Sequence, residues 1–182
     1  TKTDVLMSAL RGVERIDYVV VHHAEQDHSG SLPVVLQKYP EAKVVCNPKC
    51  KEFLMDLLHI PEDRIVTVAD GETLDLGGKT LEFIFTPWVH WPETVSTFLK
   101  EDGILFSCDL FGSHLSFPGL YIDDEQKVCD AAKRYYAEVM MPFRGTIKKH
   151  LEKLSTFPVK IIAPSHGPLY KDPACIMGSH AD

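Results

Sequence analysis

The stretch VVVHHAEQDHSG, Val19 to Gly30, constrains the fold more than any other part of the chain. Its apolar start reads as a buried strand, and it runs directly into three histidines, a glutamate and an aspartate within positions 22–28. On extended backbone, residues i, i+2 and i+4 point the same way, so His23, Glu25 and Asp27 are expected to face one space. A turn at Ser29-Gly30 brings His28 to join them. A polar loop capping the next helix would need only Asp27 or Ser29. It leaves the other candidate ligands without a purpose, whereas a metal site uses them all.

The rest of the chain alternates strands and helices. Leu6, Leu10 and Val13 mark a helix over residues 3–11, ending near Gly12. DYVVVHH is a strand. SLPVVLQKY is a helix with Ser31 as N-cap, AKVVC a strand, and NPKCKEFLMDLLH a helix opened by Asn47 with Pro48 at its first position. RIVTV, TLEFIFT, VSTFLK and GILFSCD are strands separated by the turn signals ADGE, LGGK and KEDG. Residues 124–140 form one helix and TIKKHLEKL another, before a final strand VKIIA that ends at PSHGP. This pattern predicts layered α/β architecture with helices covering sheet faces.

Composition narrows the function. A chain of 182 residues suits one domain with a real core. Its net charge of −7 argues against nucleic acid, which requires a basic face. No apolar run approaches a membrane span, and TKTDVLMSALRG lacks the design of a signal peptide, so a cytoplasmic protein is expected. Five cysteines, an odd number, do not suggest a disulfide framework, and Cys46 and Cys50 read as reduced thiols around a helix start.

Four sites place a metal-competent residue at or just past a strand: the cluster at 23–28, His90 in TPWVHWPE, Asp109 in LFSCDLFG and His166 in APSHGP. A single histidine after a strand is commonly an ordinary polar residue, and an aspartate there commonly caps a helix. Together the four sites are far more specific. His23, Glu25, Asp27, His28, His90, Asp109 and His166 are too many ligands for one ion but suit two ions sharing a carboxylate. Imidazoles with carboxylates suit iron, manganese or zinc, and no thiolate is needed. With two divalent ions, the three carboxylates leave one positive charge, which a bridging hydroxide would cancel.

HxExDH followed by separated His, Asp and His resembles the metallo-β-lactamase fold, whose zinc hydrolases carry HxHxDH. Glu25 replaces the second histidine. With HAEQDHSGSLP, TPWVHWPET, ILFSCDLFGSHL, MPF and APSHGP, the pattern resembles the flavodiiron protein family (A-type flavoproteins) from about residue 3 to 175. The resemblance implies an αββα sandwich over residues 1–175, followed by a tail at 176–182. It also implies that the chain starts after the family's first strands, leaving one sheet short. His23, Glu25 and His90 would hold one iron, and Asp27, His28 and His166 the other, with Asp109 bridging. No catalytic residue is expected beyond these ligands. The implied activity is reduction of dioxygen to water, of nitric oxide to nitrous oxide, or of both.

The resemblance further implies an FMN-binding flavodoxin-like domain that lies outside this chain. It implies an electron donor such as rubredoxin or a reduced flavin cofactor, and a head-to-tail homodimer. Two ferrous ions becoming ferric supply the two electrons that convert two nitric oxide molecules to nitrous oxide and water. Dioxygen going to two waters needs four, so the flavin would supply the remainder. A zinc hydrolase of the same fold and a diiron gas-sensing module are the competing readings, with Glu25 favouring iron. Trp91 reads equally as the wall of a gas pocket or as core, and His114 as orienting a ligand or lying on the surface. His22 and Cys108 are expected to face away from the metals, and His180 to belong to the tail.

Overall fold

The computed structural model describes residues 2–121, 124–174 and 176–177. The chain divides into two compact units, one up to Ala69 and one from Asp70.

The first unit holds α1 (Thr3–Ala9), β1 (Tyr18–Val20), α2 (Gln26–Ser29), α3 (Leu32–Lys38), β2 (Lys43–Cys46), α4 (Pro48–Leu58), a 3-10 turn (Glu62–Arg64) and β3 (Ile65–Thr67). Its strands form a parallel sheet in the order β1-β2-β3. Parallel neighbours need crossovers, and the helices between the strands supply them. Leu32, Val35 and Leu36 of α3 and Leu54 of α4 pack with Val44 of β2 into one apolar cluster. Asn47 caps α4 as expected, its side-chain oxygen accepting from the Cys50 N–H at 2.7 Å. Ser31 precedes α3 but makes no side-chain cap; its hydroxyl instead shares a hydrogen bond with that of Thr3 at 2.8 Å. Cys46 and Cys50 are buried thiols, as expected.

The second unit holds β4 (Thr73–Asp75), β5 (Thr80–Phe85), β6 (Val95–Leu99), β7 (Ile104–Cys108), α5 (Glu125–Tyr135), α6 (Arg144–Leu154) and β8 (Ile161–Pro164). One sheet runs β4-β5-β6-β7-β8. Its first four strands are antiparallel, and β8 lies parallel to β7. Ile147, Leu151 and Leu154 of α6 join Val128 and Ala132 of α5 in a core with Ile84, Phe98 and Leu105 of the sheet.

The expected single helix over 124–140 is interrupted. α5 gives way to a π-helical turn, Tyr136–Met140, and a 3-10 turn, Met141–Phe143. Tyr135 and Met140 are both buried although five residues apart. An α-helix would turn one of them outward, and the wider π turn keeps both inside. Pro142 lacks an amide hydrogen and helps end the segment.

Candidate metal centre

In the first unit the ligand-rich stretch is not the continuous extended row expected from its spacing. The backbone is extended at Glu25 (φ −56°, ψ 139°), and α2 then begins at Gln26. Ser29 fixes this change of direction. Its hydroxyl donates to the carbonyl of Ala24 at 2.6 Å, and its amide donates to that of Glu25 at 2.9 Å. The cluster therefore falls into two pairs. His23 Nε2 lies 3.4 Å from Glu25 Oε2, and His28 Nε2 lies 3.4 Å from Asp27 Oδ2. The two imidazoles meet edge to face with centroids 4.2 Å apart. His23 is fully buried.

In the second unit His90, Asp109 and His166 converge on one another. Asp109 sits at the end of β7, 1% exposed. One carboxylate oxygen, Oδ2, lies 3.2 Å from His90 Nε2; the other, Oδ1, lies 3.4 Å from His166 Nε2. A carboxylate that presents a different oxygen to each of two imidazoles has the disposition of a bridge between two ions. Backbone bonds hold the loops that carry these groups. Ser165 N–H donates to Cys108 C=O at 2.7 Å, and Ser113 N–H donates to His166 C=O at 3.0 Å. The Tyr170 hydroxyl donates to Phe111 C=O at 2.8 Å.

These separations fit metal ligation. Charge-assisted N–H···O bonds are about 2.7–2.9 Å long. Two ligand atoms about 2.1 Å from one ion, at tetrahedral or octahedral angles, are roughly 3.0–3.4 Å apart. All four imidazole–carboxylate pairs fall at 3.2–3.4 Å. Within each unit, imidazole and carboxylate thus stand at ligand spacing, and donors of these types suit iron, manganese or zinc.

Other groups take lesser positions. Burial, reinforced by the Asp109 charge, pushes the Cys108 thiol well above its ordinary range, so it stays protonated as a buried thiol. His22 and Trp91 are half-buried. His114 is exposed, with its ring 4.8 Å from that of Tyr135 and 6.0 Å from that of His166. His180 lies outside the described residues. Glu93, three residues past His90, is 1% exposed and went unremarked in the sequence. The available signal was an acidic residue inside the same motif as a candidate ligand.

Comparison with known proteins gives a consistent picture. A family model described as "ODP family beta lactamase" matches residues 3–167. The coenzyme F420H(2) oxidase of Methanothermobacter marburgensis is 39% identical over 178 residues, covering 93% of this chain and 44% of that protein. The anaerobic nitric oxide reductase flavorubredoxin of Aliivibrio fischeri is 37% identical over 162 residues, covering 86% of this chain and 33% of that protein. The flavodiiron protein from Giardia intestinalis superposes with a TM-score of 0.89 at 35% identity, covering 96% of this chain and 44% of that one. The expected metallo-β-lactamase-like fold and the resemblance to flavodiiron proteins are both borne out. The chain spans less than half the length of each of these relatives.

Proposed function

Because the chain belongs to the ODP family of beta lactamases, we propose that it is the diiron domain of a larger reductase that converts dioxygen to water, nitric oxide to nitrous oxide, or both. The observation that carries this reading is the two-sided placement of Asp109, with one oxygen near His90 and the other near His166. The relatives, an oxidase and a nitric oxide reductase, support the same chemistry.

On this reading residues 1–175 act as the diiron domain. His23, Glu25 and His90 hold one iron, Asp27, His28 and His166 the other, and Asp109 both. The irons would supply reversible one-electron chemistry. The protein's part is to supply three carboxylates that offset most of the ions' charge and four neutral imidazoles that complete the donor set. Glu25 gives the first iron an oxygen donor, which favours a metal that changes oxidation state; an all-imidazole set would suit a zinc hydrolase.

Electrons come from FMN on a flavodoxin-like domain beyond these residues, fed by rubredoxin or a reduced flavin cofactor, in a head-to-tail homodimer. No helix among the described residues is long and apolar enough to cross a membrane. A cytoplasmic setting for the reaction is part of this proposal.

The test is anaerobic loading of the chain with ferrous iron, followed by metal analysis and one addition of nitric oxide. Two irons per chain and one nitrous oxide per diferrous site are expected. Tight zinc with iron excluded would overturn the reading in favour of a hydrolase. A stable gas adduct without turnover would overturn it in favour of a sensor.

A further inference from the structure

The loop that carries His90 is held from outside by one face of α6. The loop leaves β5 at Phe85 and passes through Thr86, Pro87, Trp88 and Val89 before reaching the histidine. Contacts at three positions of the α6 segment, Phe143, His150 and Lys153, fasten it. Trp88 stacks on Phe143, the residue before α6, with centroids 6.4 Å apart and planes 20° from parallel. His150 Nε2 lies 2.9 Å from the carbonyl oxygen of Pro87. Lys153 Nζ lies 2.8 Å from both oxygens of Asp70, and Asp70 Oδ1 accepts the Phe85 N–H at 2.7 Å.

Positions 143, 150 and 153 follow the i, i+7, i+10 spacing of one helical stripe. This stripe flanks the apolar stripe Ile147, Leu151 and Leu154, which is buried. The same helix thus packs the core and grips the loop. A carbonyl oxygen can only accept, so His150 Nε2 carries the proton. Trp88 has φ of +64°, a conformation a tryptophan adopts only when its surroundings dictate it. The polar contacts, at Phe85 and Pro87, both lie just before it in the chain.

We infer that His150 is a positioning residue for the candidate ligand His90: its Nε2–H holds the Pro87 carbonyl and thereby sets where the loop delivers the imidazole. The assignment of His90 as a ligand rests on the proposed diiron function; the hold on the loop does not. Partners bonded directly to a ligating imidazole are typically worth about 10–100-fold in metal affinity; His150 acts one step further out, through the Pro87 carbonyl, so the lower end of that range is expected.

Two variants of the full chain separate a donor from a mere filler. His150→Gln keeps an N–H at nearly the reach of imidazole Nε2, whereas His150→Leu keeps bulk without a donor. Two readouts are needed. Hydrogen exchange on the metal-free chain follows the amides of residues 86–91. Anaerobic ferrous iron titration follows the affinity of each equivalent.

His150→Leu is expected to speed exchange in the 86–91 segment about tenfold, with β5 and the rest of α6 unchanged, and to weaken one iron equivalent by about the same factor. His150→Gln is expected to restore both. Unchanged loop exchange in His150→Leu would overturn the inference. Equal effects of the two variants, or loosening spread across all of α6, would also overturn it, because His150 would then only fill space. If the parent chain binds no iron, the diiron reading fails, and loop exchange still decides whether His150 holds the loop.

Discussion

The carbonyl of His166 accepts the amide N–H of Ser113 at 3.0 Å, tying the loop after β8 to the loop after β7. Gly167, the next residue, makes that approach possible. Its φ is +91°, and a Cβ placed on it would lie 2.1 Å from Ser113 Oγ and 3.0 Å from Ser113 C=O. Gly167→Ala is therefore expected to destabilise the protein by about 2 kcal/mol or more through backbone strain and the clash. Adding Ser113→Ala removes the nearest atom and should recover part of the loss, leaving the strain and the carbonyl contact. Thermal melts of the single and double variants check this; equal melting temperatures for Gly167→Ala and the parent would refute it.

Asp109 is expected to show opposite behaviour with and without metal. In the metal-free chain it is a buried carboxylate beside imidazoles, which is costly to desolvate. Asp109→Asn should leave the metal-free melting temperature at least as high as that of the parent. The same variant should lose the stabilisation that iron confers on the parent, because the two ions lose their shared charge. A parent at an iron concentration one hundred times its Kd should gain about 2.7 kcal/mol, and the variant far less. Melting curves with and without ferrous iron give both signs.

On the proposed reading, Glu25 biases the site toward iron. Glu25→His converts HAEQDH to the HxHxDH arrangement of the zinc hydrolases. Offered equal ferrous iron and zinc under anaerobic conditions, the parent is expected to retain a larger share of iron than the variant. Elemental analysis after desalting measures it, and an unchanged ratio would remove the argument built on this residue.

Asp70 gives the grip of α6 a pH limit. Burial alone would raise the pKa of its carboxyl, but the Lys153 ammonium and the Phe85 N–H outweigh that effect and hold it below its ordinary 3.8. A depressed acid contributes stability that is fully present above the unfolded-state pKa and lost as pH falls through the folded one. Asp70→Asn should thus melt below the parent at pH 7. The gap should close below the lowered pKa, where both chains carry a neutral side chain at position 70. A gap that stays constant down to pH 2 would exclude this charge pair as its source.

Sequence alone fixed the donor types and their places. The HxExDH stretch, His90, Asp109 and His166 all lie at or after strand ends, as the apolar runs before them implied. Local periodicity and turn residues act within a few positions, so they located most of the helices and strands. They failed where the local signal was slight. β4 is only three residues long and mostly exposed, and the π turn after α5 answers to burial of Tyr135 and Met140 rather than to propensity. Tertiary structure decided the pairing. It set Asp27 beside His28 instead of in a row with His23, and it turned the two oxygens of Asp109 toward different imidazoles. It also brought His150 to Pro87 across 63 positions and Lys153 to Asp70 across 83. Contacts at such separations follow from sheet register and core packing, which bring distant residues together by burial rather than by their order along the chain.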